Sequence, residues 1–168
     1  MTDWQAFYHI KSDQSDVHRR LHELVRKHQS QLFMKPINAL QRSLFDNVIS
    51  GAGSHIILDC GCGTGMSSRI LSQQFPQATV IGIDQSLSRL TKEPIFRQRS
   101  EPSVARQGNL ILVQADVVAW WQLIAEKGLR IQQACFYYPN PWPKAKHLQR
   151  RWQGHAIWPL ICTWSDRM

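Results

Sequence analysis

The chain has 168 residues, of which 43% are hydrophobic, and a formal net charge of +8. That length suits one domain with a sizeable core, and the composition is that of an ordinary globular protein, free of repeats and low-complexity tracts. The basic balance favours an acidic partner, a nucleic acid or an anionic surface, while the lack of any apolar run approaching ~18 residues excludes a membrane-spanning helix.

The opening "MTDWQAFYHIKSDQ" lacks the charged start and apolar core of a signal peptide. Residues 1–50 read as an N-terminal helical extension. "SDVHRRLHELVRKHQSQ" places Val17, Leu21, Leu24, Val25 and His28 at helix spacing, with Ser15 or Asp16 as its cap. "NALQRSLFDNVIS" repeats the pattern with Leu40, Leu44, Phe45, Val48 and Ile49, and Gly51 and Gly53 stop it.

From residue 51 to 168 the rhythm changes. Short apolar runs, "HIILDCG", "TVIGID", "NLILVQAD" and "RIQQACFYY", alternate with helical stretches, "MSSRILSQQF", "SLSRLTKEPIF" up to Pro94, and "VVAWWQLIAEKG", which closes at Gly128. Strands that are apolar on both faces, separated by helices, indicate βαβ units. The expected fold is α/β, a mostly parallel sheet with helices on both faces and right-handed crossovers. "KEPIFRQRSEPSVARQGN" reads as the most loop-like region.

Cys60, Cys62, Cys135 and Cys162 are the four cysteines. Cys60 and Cys62 form C-x-C, and no second pair completes a zinc set, so no metal is expected. Reduced structural thiols fit a reducing compartment, and the expected location is cytoplasmic.

"DCGCGTG" joins the first apolar run to the first helix after it. Ligands of open α/β sheets bind beyond the C-terminal ends of the strands. Gly61, Gly63 and Gly65 let the backbone approach a ligand there. The spacing is G-x-G-x-G; a dinucleotide fingerprint needs a glycine where Met66 stands, and a P-loop needs a Gly-Lys-Ser/Thr ending that is absent. Asp84 closes the second strand, where an acid accepts both hydroxyls of a ribose. Asp116 closes the third, within reach of an adenine amino group. Asp59 precedes the glycines and suits a cationic or amino-bearing ligand. Alternatively, each Asp caps the helix that follows it. Taken together, three acids and a glycine turn describe a nucleoside pocket with no demand for phosphate. S-adenosylmethionine fits: it carries ribose and adenine, no phosphate, and a positive sulfonium with an amino-acid tail. NAD, with its pyrophosphate, prefers an acid-free helix N-terminus.

"LDCGCGTG", "IGID" and "QAD" resemble the successive motifs of class I S-adenosylmethionine-dependent methyltransferases. "YYPNPWPKAKHLQRRW" is similar to the F-P-D-P-W-P-K-K-x-H-x-K-R-R signature of the bacterial tRNA (guanine-N7)-methyltransferases, which modify the variable loop of tRNA. This resemblance implies a Rossmann-like domain, S-adenosylmethionine as methyl donor, tRNA as partner and RNA binding as part of the activity. It places Asp59, Gly61, Gly63, Gly65, Asp84, Asp116 and Asn140 at the donor. Asn140 takes the catalytic position, orienting the base or the amino group of the donor. Pro141 and Pro143 stiffen the loop around Trp142, which either stacks on the base or packs beneath the loop. Lys144 follows as a substrate contact, with Lys146, His147, Arg150 and Arg151 on phosphates. No Asp or Glu stands between Gly128 and Ser165 to neutralise that face. Arg19, Arg20, Arg26 and Lys27 of the extension add basic contacts.

The chain departs from the family twice. Asn140 stands where the family carries Asp, and Asn is no base. Guanine N7, however, carries a lone pair and no proton, so its attack on a methyl group needs no deprotonation. The order Asn-Pro-Trp-Pro also differs from the Asn-Pro-Pro-aromatic motif of enzymes that methylate amino groups of adenine or cytosine. The second departure is length: only "QGHAIWPLICTWSDRM" follows Trp152, too little for the last strands of a seven-stranded sheet. The expectation is an incomplete sheet with an unpaired edge.

Overall fold

The computed structural model describes residues 18–31, 33–137, 139 and 144–165. Asn140, Pro141, Trp142 and Pro143 lie outside the described residues, as do the expected caps Ser15 and Asp16. Two helices lead into the sheet. α1 (Leu21–Ser30) buries none of its side chains and has no side-chain cap. α2 (Ala39–Ser50) starts at Asn38, whose side chain accepts the Gln41 N–H at 2.8 Å, filling one of the orphan donors of a helix N-terminus. Phe45 and Val48 on α2 are fully buried, so the second helix of the extension belongs to the core.

The apolar runs become strands. β1 (Ile56–Cys60) is buried along its whole length. α3 (Met66–Gln74) returns the chain to β2 (Thr79–Asp84), which runs parallel to β1 with Leu58 opposite Ile81. The stretch read as one helix up to Pro94 is two short ones, α4 (Leu87–Leu90), capped by Ser86, and α5 (Pro94–Arg97). Pro94 lacks an N–H and suits the first turn of a helix, so it restarts the chain where it was expected to end it.

A strand lies where a loop was expected. β3 (Val104–Gln107) pairs antiparallel with β4 (Leu110–Gln114), with Gln107 opposite Leu110. Gly108 and Asn109 form the two-residue turn, Gly108 at φ 56°. The Asn109 amide donates to the carbonyls of Ser72, Phe75 and Ala78 at 2.9–3.1 Å, which pins the hairpin to the end of α3. α6 (Val117–Lys127) closes at Gly128, in the left-handed region at φ 63°. β5 (Gln133–Cys135) is shorter than the nine-residue run suggested, and it pairs with β1 alone among the described strands.

The sheet order is β3-β4-β2-β1-β5, parallel except for β3. Its side chains alternate between two buried clusters. Leu58, Ile81 and Val113 pack with Phe45, Trp120 and Trp121 from α2 and α6. Ile57, Val80 and Leu112 pack with Leu71, Leu90 and Phe96 from α3, α4 and α5. Each fully buried side chain of this size contributes roughly 1.5–3 kcal/mol against the entropy of ordering it. This is the expected α/β, Rossmann-like arrangement with helices on both faces. After β5 come two 3₁₀ turns, Ala145–Arg150 and Trp152–Gly154, and then α7 (Trp158–Ser165). Ile157 and Ile161 bring this last segment onto the α6 face of the core, and no strand follows β5 among the described residues.

Candidate functional site

The glycine turn is tied to the neighbouring strand. Gly61 and Cys62 donate their N–H groups to the Ile83 carbonyl at 2.8 and 3.0 Å, and Gly63 donates to Asp84 Oδ2 at 2.9 Å. Gly61 and Gly63 both have positive φ, and a Cβ built on either would meet nothing within 4 Å. Glycine is needed there for the backbone, and the space above is open to a ligand. Gly65 also has positive φ, at 82°, and in addition a Cβ there would fall 2.9 Å from Leu112 Cδ1, so this glycine serves both the turn and the packing of α3 on the sheet.

At the C-terminal ends of the strands lies a cavity of about 230 Å³, with Gly61, Asp84, Arg89, Asp116, Tyr137 and Trp152 in its lining. Gly61, Asp84 and Asp116, three of the residues singled out in the sequence, meet there. Asp84, almost fully buried, accepts the Ser86 N–H on Oδ1 at 2.8 Å, and Arg89 Nη1 stands 3.5 Å from its Oδ2. Asp116 caps α6: its Oδ1 accepts the Val118 N–H at 2.8 Å, and Lys35 Nζ lies 3.0 Å from Oδ2. Burial alone would raise the Asp116 carboxyl, but the Lys35 and Val118 contacts outweigh it and hold the group below its ordinary value. Asp116 is therefore a helix cap that also faces the cavity.

Asp59 sits outside that lining, 1% exposed within β1. Its Oδ2 accepts the hydroxyls of Ser67 at 2.5 Å and Ser68 at 2.7 Å. Its Oδ1 is buried and has no hydrogen-bond partner among the described residues. Burial pushes this carboxyl above its ordinary value, and the two serine hydroxyls only partly offset that. Asp84 and Asp116 beside the open glycine turn give the cavity an acidic wall. One cation, Arg89, is in the cavity lining, whereas a pyrophosphate calls for a cluster of donors at a helix N-terminus.

Two further lining residues were not legible as site residues from sequence. Tyr137, 43% exposed, and Trp152 supply aromatic surface there. A hydrogen bond with the Cys135 thiol, and burial behind it, push Tyr137 up to about 12, so it remains a neutral phenol. Trp152 packs edge-on against Phe136, ring centroids 4.9 Å apart. Tyr137 lies inside the fourth apolar run, "RIQQACFYY", and reads there only as part of a strand; nothing local pointed to Trp152.

The basic residues lie outside this cavity. Lys144 and Lys146 are exposed at and within the first 3₁₀ turn, and Arg150 is exposed at its end; His147 and Arg151 are half-buried. Partial burial, then the charges of Arg150, Lys146, Lys144 and Arg151, lower the His147 pKa from its ordinary value. Trp152 follows Arg151 directly, so the basic turn ends at the edge of the cavity. Among the described residues, no group of His, Cys, Asp and Glu is placed to hold a metal ion, and no helix is long and apolar enough to cross a membrane.

The family described as "Putative methyltransferase" matches residues 53–157. The tRNA (guanine-N(7)-)-methyltransferase of Mycobacterium ulcerans is 32% identical over 108 residues, covering 60% of this chain and 35% of its own length. The protein of the same name from Mycobacterium leprae is 28% identical over 120 residues, 70% of this chain and 47% of its own. Trans-aconitate 2-methyltransferase of Deinococcus radiodurans is 53% identical over a short stretch of 36 residues, 21% of this chain and 14% of its own. The chain thus spans between about a third and a half of these tRNA methyltransferases. No solved structure matches it.

Proposed function

The chain belongs to the putative methyltransferase family, and from that premise we propose that it transfers a methyl group from S-adenosylmethionine to N7 of a guanine in tRNA. The observation that carries this reading is the cavity in which Gly61, Asp84 and Asp116 meet at successive strand ends. The names of the relatives and the basic turn beside the cavity support RNA as the substrate.

S-adenosylmethionine supplies, when bound, a methyl group made electrophilic by the sulfonium. Asp84 offers a carboxylate to ribose hydroxyls, Asp116 an acceptor to the adenine amino group, and Gly61 and Gly63 an unobstructed backbone. Asp59, buried outside the cavity lining, would meet the ammonium of the tail only if the glycine turn opens. Guanine N7 brings its own lone pair, so no side chain needs to take a proton. The remaining task of the protein is alignment, which is where positioning yields rate. Asn140 accepts through its side-chain oxygen and donates through its amide, and in this reading it orients the base or the amino group of the donor. Lys144, Lys146, His147, Arg150 and Arg151 hold the RNA backbone.

A second reading rests on Asn140, which replaces the family's Asp: a catalytically impaired homologue that binds RNA without modifying it. Calorimetry with S-adenosylmethionine, followed by transfer of its labelled methyl group to unmodified tRNA, separates the two. The first reading predicts binding and transfer. Binding without transfer supports the second, and absence of donor binding removes the methyltransferase reading of this cavity.

A further inference from the structure

Two basic segments far apart in the chain meet in the fold. Arg19, Arg20 and Lys27, from and just before α1, share the lining of a groove of about 660 Å³ with Lys146 of the first 3₁₀ turn. All four cations are exposed, and none takes part in an ion pair among the described residues. Elsewhere the same chain does pair its surface cations: Lys35 with Asp116, Arg42 with Glu126, Lys127 with Asp46. Glu23 is the one acid in the groove lining. Four like charges facing one concavity outweigh the single acid and repel each other in the free protein, and a concave wall of net positive charge focuses the field on an opposite charge.

We propose that this groove is a second RNA-binding surface, which holds phosphodiesters of the substrate away from the methyl-transfer cavity. The inference rests on the RNA half of the proposed function. Three features favour RNA over a membrane or an acidic peptide. The surface is concave, whereas a bilayer face is broad and flat. Its apolar lining is small, Leu24 and the buried Leu148, which leaves little to hold a peptide's side chains. Finally, Lys146 belongs to the turn that ends at Trp152 in the cavity lining, so one strand of RNA can run from the groove to the cavity. The role is positional: the groove sets which part of the RNA is presented, and the chemistry stays at the strand ends.

The test uses the full chain and a fluorescently labelled, unmodified tRNA transcript, with binding read by anisotropy between about 50 and about 200 mM KCl. Each phosphate contact adds about 0.7–0.9 to the slope of log K against log salt. Arg20→Glu with Lys27→Glu is expected to weaken binding at least tenfold at low salt and to lower that slope by about 2, with S-adenosylmethionine affinity unchanged. Lys27→Gln with Lys146→Gln, a milder change from the two segments, is expected to move both quantities in the same direction. Arg97→Glu, exposed on α5 in neither lining, should bind as the wild type does. The proposal is overturned if both groove variants keep the wild-type affinity and slope. It is equally overturned if Arg97→Glu loses as much as they do, or if they lose binding to phosphatidylserine vesicles but not to tRNA. A wild-type chain that ignores S-adenosylmethionine yet shows the slope change leaves the groove standing and removes the methylation reading.

Discussion

Asp84 holds the Gly63 and Ser86 N–H groups and faces Arg89, all from one buried carboxylate. It is thus the residue through which the glycine turn, β2 and the cavity are joined. Asp84→Asn keeps the shape and one acceptor but loses the charge. Hydrogen bonds to charged groups contribute about 1.5–3 kcal/mol each, so its S-adenosylmethionine affinity should fall at least tenfold by calorimetry, with the urea midpoint lowered as well. An unchanged affinity would take Asp84 out of the donor site. His155 gives a separate prediction. Burial lowers its pKa from its ordinary 6.5, and His28 and Lys35 add to this, while Asp116 opposes it. The ring sits edge-on to Phe33 and Trp152, and its Nδ1 accepts the Ile157 N–H. The folded state therefore favours the neutral ring, and the unfolded chain takes up the proton first as pH falls below 6.5. Stability contributed above that pH is lost as pH falls towards the lower folded value. His155→Asn, which keeps an acceptor, should lose less stability between about pH 7.5 and about pH 5.5 than the wild type, measured by urea midpoints. At this scale Gly61, Asp84 and Asp116 were legible because strand ends advertise themselves. Arg89 and Trp152 were not, because the folded chain alone brings them to the cavity.

β2 carries a glycine in its middle for a reason found in its neighbours. A Cβ on Gly82 would lie 2.2 Å from Ser68 Oγ and 2.7 Å from Leu112 Cδ2. Ser68 cannot swing aside without releasing the buried Asp59 carboxylate it holds at 2.7 Å. Gly82→Ala should therefore cost about 1–3 kcal/mol through overpacking, visible as a lower urea midpoint; a neutral result would mean that α3 shifts freely on the sheet. The parallel strands and α6 were legible from apolar runs and caps. The β3–β4 hairpin was hidden by the Pro, Arg and Ser around it, although Gly108-Asn109 between two short runs is a two-residue hairpin signal. β5 stops early because only β1 supports it among the described strands, a tertiary fact that its apolar sequence does not carry. α7 was missed because its two tryptophans and one proline obscure helical periodicity, and its place comes from Ile157 and Ile161 reaching the core.

As a whole, the molecule sets an acid-lined cavity beside a basic turn, with a basic groove between that turn and α1. Net charge and the strand-end pattern made the first two legible. The groove required knowing that α1 and the turn line one concavity, which no local spacing reveals. The central proposal is that these surfaces together methylate guanine N7 in tRNA, with Asn140 at the position of the methyl transfer. Its most direct measurement is nucleoside analysis by mass spectrometry of an unmodified tRNA transcript incubated with the chain and S-adenosylmethionine. The account predicts 7-methylguanosine in the wild-type reaction and at least tenfold less with Asp84→Asn at limiting donor. Donor binding without any methylated nucleoside, or a methyl group on a base other than guanine, would contradict it.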